Sequence, residues 1–411
     1  MRMSKNEKTA LVPRLRFPEF VSTGEWKICT LNKLAMRMNV RNQDNSIKRV
    51  LTNSAIDGVV DQSDYFDREV ANHNNLENYF VIDEGDYVYN PRISATAPVG
   101  PISKNKVGRG VMSPLYTVFR FENHNNDFYE QYFRTTLWHH YLKSVSNTGA
   151  RHDRMSISND SFMKIPLPCH TEKEQQKIAD CLFSLDDLIT AEDKKLELLK
   201  DHKKGLMQKL FPAVGKTVPE WRFPEFRDSG DWVISSLNEI CENMDSRRIP
   251  ITERDRKKGS TPYYGASGIV DYVDGYIFDE VLLCVSEDGA NLVARTYPIA
   301  FSISGETWVN NHAHVLRFQN KNAQVMVENY LNSISLEDFL TGMAQPKLNR
   351  AKLDIIPMPL PPDNKEQNEI ANCLSSIDDL INEQAQKIEA LHLHKKGLMQ
   401  GLFPSIEEVD E

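Results

Sequence analysis

Two stretches of the chain place apolar residues at alternating steps of four and three. The first carries Ile178, Leu182, Leu185, Ile189, Leu196, Leu199, Leu206 and Leu210, with Glu192 and Lys203 completing the row. The second carries Ile370, Leu374, Ile377, Ile381, Ile388, Leu391, Leu398 and Leu402, with Gln384 and Lys395 in the same two polar slots. Such a row forms an apolar seam along one side of a helix, and two helices so marked are expected to pair as a coiled coil. The competing arrangement lays each amphipathic helix on its own domain. Polar residues in a seam cost stability but fix register. A helix from 178 to 210 would be about 50 Å long at 1.5 Å per residue, the length of a spacer.

Between and before these stretches the pattern changes. Runs such as "YFVIDEGDYVYN", "SPLYTVFRF", "YIFDEVLLCVS" and "AHVLRFQ" read as strands, split by Gly, Pro and Asn turns. Short helical runs, "DFYEQYFRTTLWHHYLKSV" and "VMVENYLNSISLEDFL", follow in corresponding places. The two middles are therefore expected to be α/β globules.

The correspondence is a tandem duplication. "HKKGLMQKLFP" at 202–212 returns as "HKKGLMQGLFP" at 394–404, with a single letter changed. Further upstream, "LRFPEFVSTGEWKICTLNKL" from Leu15 matches "WRFPEFRDSGDWVISSLNEI" from Trp221. The halves run over about 13–212 and 219–404, with like ends and unlike middles, which means two copies of one domain plan. Prolines and acidic residues precede each helix start, and "LFP" closes both copies because proline cannot continue a helix. Gly205 and Gly397 lie inside the last turns at about 1 kcal/mol each relative to Ala, so close packing is expected there. Trp26 and Trp232 are expected to be core anchors at the domain openings.

Composition adds little on its own. A chain of 411 residues suggests two or three domains. No run approaches the roughly 20 apolar residues of a membrane span, and "MRMSKNEKTA" lacks the apolar segment of a secretory signal. Six scattered cysteines without a CxxC are read as reduced structural thiols of a cytoplasmic protein. Net charge is −9, yet residues 1–165 hold 22 Lys+Arg against 18 Asp+Glu, and the second half keeps the basic run "SRRIPITERDRKK". Charge alone therefore does not decide the partner. There is no P-loop and no glycine-rich cofactor loop; "NPRI" at 90–93 is read as turn chemistry.

Taken together, the "RFPEF…W" openings, "NTGARHDRMSIS" and "TGMAQPKLNR" before "IPLP" and "IPMPLP", and the EQ-initiated helices ending in "GLMQ.LFP" resemble a known family over about 13–404. "PYYGASGIVDYVDGYIFDE", "SEDGANL" and "VNNHAHVLRF" strengthen the match. The family is the specificity (S) subunit of type I restriction–modification enzymes. The resemblance implies two target-recognition domains of α/β (α+β) class, at 13–165 and 213–357, and two spacer helices, at 172–212 and 364–404, that pair as an antiparallel coiled coil. It implies a subunit without catalytic activity or cofactor of its own. Two modification (methyltransferase) subunits would bring S-adenosylmethionine, and restriction subunits would bring ATP and Mg chemistry. Each domain would read one half of a bipartite, asymmetric double-stranded DNA site. A duplicated binder on equal helices is expected to have a pseudo-two-fold arrangement, and one turn of DNA, about 34–36 Å, is comparable with the rod. A stand-alone DNA-binding regulator and a coiled-coil protein scaffold remain open as other readings.

Candidate DNA contacts follow from residue type. Arg151, His152 and Arg154 follow a Thr-Gly pair, as do Gln345, Lys347, Asn349 and Arg350 in the second copy. Such side chains suit phosphates and base edges. Arg247, Arg248, Arg254, Arg256, Lys257 and Lys258 precede Tyr263 and Tyr264, a basic loop with adjacent aromatics. Arg92, with Lys104, Lys106 and Arg109, is a similar case. For each group the competing reading is a solvated charged loop. His312 and His314 alternate as strand residues do, and a packed or hydrogen-bonded role is expected for them in preference to metal ligation.

Overall fold

The computed structural model describes residues 11–65, 76–146, 153–342 and 345–406. It divides into two units, Met1–Ala191 with Glu389–Glu411, and Glu192–Ile388. The long helices span Glu172–Leu210 and Asn364–Leu402, and each contributes one stretch to each unit. The expected fold class is the one observed, mixed helix and strand with two long helices.

In the first unit, buried Trp26 leads into strand Lys27–Thr30, which pairs antiparallel with Pro166–Cys169. Proline has no N–H to give a ladder, and Pro166 and Pro168 stand two residues apart, so both turn the same way and leave the intervening amides to pair. This clasp closes the base of a head. Inside it lies an antiparallel sheet ordered Ala35–Met38, Thr117–Phe121, Tyr87–Tyr89, Ile102–Lys104. Its core is aromatic, including Trp26, Tyr87, Phe119, Phe128 and Trp138. Ile178, Ala179 and Leu182 from the start of the first long helix enter the same core, as do Leu402 and Phe403 from the end of the second.

The second unit repeats the plan with other material. Buried Trp232 precedes Val233–Ser236, which pairs antiparallel with Pro357–Leu360. The head contains one sheet ordered Glu242–Asn243, Ala313–Arg317, Leu282–Ser286, Ala300–Ile303. A second sheet is ordered Gly268–Val273, Lys258–Gly265, Glu306–Val309, Phe278–Asp279. Met207, Leu210 and Phe211 from the end of the first long helix share its core with Ile370 and Leu374 from the start of the second.

One expectation fails. Neither Gly205 nor Gly397 is closely packed, since a Cβ built on either would meet nothing within 4 Å. No helix among the described residues is long and apolar enough to cross a membrane. All six cysteines are unpaired.

Candidate nucleic-acid interface and the paired helices

Every seam residue predicted from the heptad is buried or half-buried. In the second unit Glu192 accepts from Gln384 at 2.7 Å and pairs with Lys387, while Lys203 lies 2.6 Å from Asp378. Residue numbers rise along one helix as they fall along the other, so the pairing is antiparallel. In the first unit Lys395 pairs with Asp186. The offset of 192 residues that maps Glu192 onto Gln384 also maps Lys203–Asp378 onto Lys395–Asp186. Seam polarity is thus satisfied by the duplication itself.

Sequence reasoning missed the anchor at each helix start. Glu174 and Glu366 of the two "EQ" pairs are buried and grip the arginine of "RFPEF" through both carboxylate oxygens. Arg16 meets Glu174 at 2.7 and 2.8 Å, and Arg222 meets Glu366 at 2.7 Å twice. Trp232 Nε1 adds a 3.4 Å contact to Glu366. The carboxylate raises the Arg222 guanidinium above its ordinary value against the opposing effect of burial. The repetition of Arg and Glu at corresponding positions was the available signal. The single changed letter in the repeated ending is explained nearby. A Cβ at Gly401 would come within 2.5 Å of Leu15, whose amide donates to the Gly401 carbonyl. In the other copy Trp221 donates to the Lys209 carbonyl, and lysine is accommodated.

In the first head, Arg92 is exposed and forms a β-bridge to Arg154, bringing together two candidates 62 residues apart in sequence. Asn90 accepts the Arg92 amide with its side chain, which is the turn chemistry expected of "NPRI". Gly100 is required there, because a Cβ would lie 2.0 Å from the Asn90 carbonyl oxygen. Arg92 forms no salt bridge among the described residues. Arg154 is half-buried beside Asp153. The other cations serve the fold: Lys104 pairs with Asp127, Lys106 pairs with Glu130 and lies over Phe183, and exposed Arg109 reaches Asp83 at 3.4 Å. Arg151 and His152 lie outside the described residues.

In the second head, three motifs far apart in sequence converge. The Gly289 amide donates to the Pro346 carbonyl, Leu348 to Glu287, and Glu287 to His312. The loops at 287–290, 310–312 and 345–349, one from each motif, thus form one cluster. Beneath it, Asp245, Glu287 and His314 bring ligand atoms within 4.8 Å of one another. Arg248 reaches Glu287 at 2.7 Å and Asp245 at 3.4 Å, standing where a cation would balance the carboxylates. His314, 1% exposed, places its two ring nitrogens 2.6 Å from Asp245 and 2.7 Å from the Leu348 carbonyl. Burial raises Asp245 and Glu287, but His314 and Arg248 outweigh it and leave both below the usual carboxylate range.

The basic run therefore splits. Arg248 is structural; Arg247 pairs with Glu280 and lies over Phe278; Arg256 pairs with Asp271 and lies over Tyr263. Tyr263 is 1% exposed, so its ring is a core group with no face for a base, and Tyr264 stacks on Phe301. Exposed Arg254, Lys257 and Lys258 form no salt bridge among the described residues. On the neighbouring loop Gln345 is exposed, Lys347 reaches Glu287 at 3.1 Å, Asn349 caps the short helix Arg350–Asp354, and Arg350 lies 3.5 Å from Asp354.

A head held by a clasp beside paired helices has relatives among known proteins, in sequence and in fold. The family model described as "Type I restriction modification DNA specificity domain" matches residues 229–392. A putative type I restriction enzyme specificity subunit of Haemophilus influenzae is 35% identical over 147 residues, 36% of this chain and 37% of that one. The MjaVIII type I specificity subunit of Methanocaldococcus jannaschii is 27% identical over 333 residues, 72% of this chain and 74% of that one. The chain thus spans little more than a third of the Haemophilus relative and about three quarters of the archaeal one. Among solved structures, the S subunit from M. genitalium superposes with a TM-score of 0.60 at 13% identity, covering 96% of this chain and 100% of that one. A chain from a study of type I complex assembly gives 0.56 at 14%, covering 92% and 97%. Residues 229–392 thus match a type I restriction modification DNA specificity domain, and the chain as a whole is similar to type I specificity subunits in sequence and in fold.

Proposed function

We propose that the chain is the non-catalytic DNA-specificity subunit of a type I restriction–modification complex, each head reading one half of a bipartite asymmetric site. The paired helices set the unread spacer and dock two modification subunits, which carry S-adenosylmethionine, while restriction subunits supply ATP-dependent cleavage. The observation that carries this reading is the contrast between the two units. The clasp, the Arg–Glu anchor and the helix ends recur in both, whereas the sheets between them differ in strand order and number. Unlike heads on like frames suit two unlike half-sites at a set distance.

The test is methylation mapping with the cognate modification subunit. Replacing residues 219–350 by the corresponding domain of another family member changes one half-site and leaves the other. An unchanged methylation pattern rejects the claim that this head reads sequence. Deleting one heptad from each long helix, which keeps their registers matched, shifts the spacing or abolishes methylation; activity retained on the original spacing rejects the ruler.

A further inference from the structure

The repeated "HKKGLMQ.LFP" endings line two cavities, one in each unit. The cavity of the second unit is about 680 Å³ and includes Lys204, Met207 and Phe211 in its lining. That of the first is about 600 Å³ and includes Lys396, Met399 and Phe403, the same three positions carried forward by the repeat offset. The opposite walls do not match: Tyr330 and Asn329 close one, Thr135 and Thr136 the other. One wall is thus common to both cavities, although the sheets of the two heads differ.

A wall kept in duplicate suits a ligand presented in duplicate. Half-sites of DNA differ between the heads, so the shared wall points to one protein segment bound twice. Its chemistry follows from the lining. Met and Phe form an apolar floor that favours burial of an apolar side chain. Within this wall Lys203 and Lys395 are neutralised by Asp378 and Asp186. Lys204 and Lys396, by contrast, are exposed and form no salt bridge among the described residues. The rim therefore presents an unmatched cation that a carboxylate complements.

We infer that each cavity is the socket for an identical segment of the modification subunit, an apolar side chain flanked by acidic residues. This rests on the reading that two modification subunits assemble on the chain. The full chain is titrated with a purified cognate type I modification subunit, and bound copies are counted by light scattering. Lys204→Glu and Lys396→Glu alter exposed side chains and leave the apolar floor intact. Each is expected to weaken one site by about tenfold or more, leaving one bound copy at limiting concentration. The double variant retains none, and Lys204→Arg with Lys396→Arg restores two. Two copies still bound to the double variant overturn the socket. So does an unchanged count accompanied by weaker duplex DNA binding, which would place the lysines on the DNA surface. If the unaltered chain binds no modification subunit, the proposed function fails as well, and that outcome is distinct from the others.

Discussion

Glu366→Gln isolates the anchor that ties the second opening to its helix. The pair is almost completely enclosed, with side-chain exposures of 6% for Arg222 and 1% for Glu366. Two bonds of 2.7 Å join it, and Arg222 gives a third, of 2.8 Å, to the Ser229 carbonyl. Gln keeps the shape but removes the charge and one acceptor, leaving a guanidinium buried without its counter-ion. Breaking one partner of a buried pair costs about 3–5 kcal/mol. That is a large part of the roughly 5–15 kcal/mol that holds a domain folded. Replacing both residues, as in Arg222→Met with Glu366→Leu, removes the stranded charge together with the bond and is expected to be near neutral. Denaturant unfolding of the full chain measures the difference, and hydrogen exchange of amides 364–372 locates it; Arg16–Glu174 in the other unit serves as internal control. A loss below about 1 kcal/mol for the single variant, or a double variant as damaged as the single, refutes the account.

Gly205→Ala and Gly397→Ala each raise stability by about 1 kcal/mol, because helix propensity improves and the added methyl meets nothing; a lower melting temperature contradicts this. Triple replacement of Arg254, Lys257 and Lys258 by Ala weakens duplex binding across all sequences and flattens its salt dependence. Arg248→Ala instead destabilises the second head, since it strands Asp245 and Glu287. Asp245 and Glu287 titrate below their unfolded values. Their contribution is therefore fully present above the unfolded carboxylate range, about pH 4, and is lost as pH falls through the folded values. Unfolding of the second unit followed from pH 6 to 3 checks this, and a flat profile refutes it.

Where the pattern was local, the sequence was readable. A heptad needs only neighbours one and two turns away, so the seam, the helix ends at "LFP" and the polar slots were visible in the letters. The "NPRI" turn was legible for the same reason, since Asn90 bonds two residues ahead. The Gly205 and Gly397 reading failed because cost was taken as a sign of packing, and open space carries the same letters.

Residue type identified cations but not their tasks. Arg248, Arg256 and Lys104 look like surface grip in sequence, yet each is held by a carboxylate that folding brings alongside: Glu287, Asp271 and Asp127. Arg254, Lys257 and Lys258 sit in the same run and remain uncommitted. Periodicity determines how a helix buries its own face, because that depends on spacing along the chain. Whether a charge is neutralised depends on what arrives from tens to hundreds of residues away, and only the tertiary structure decides that.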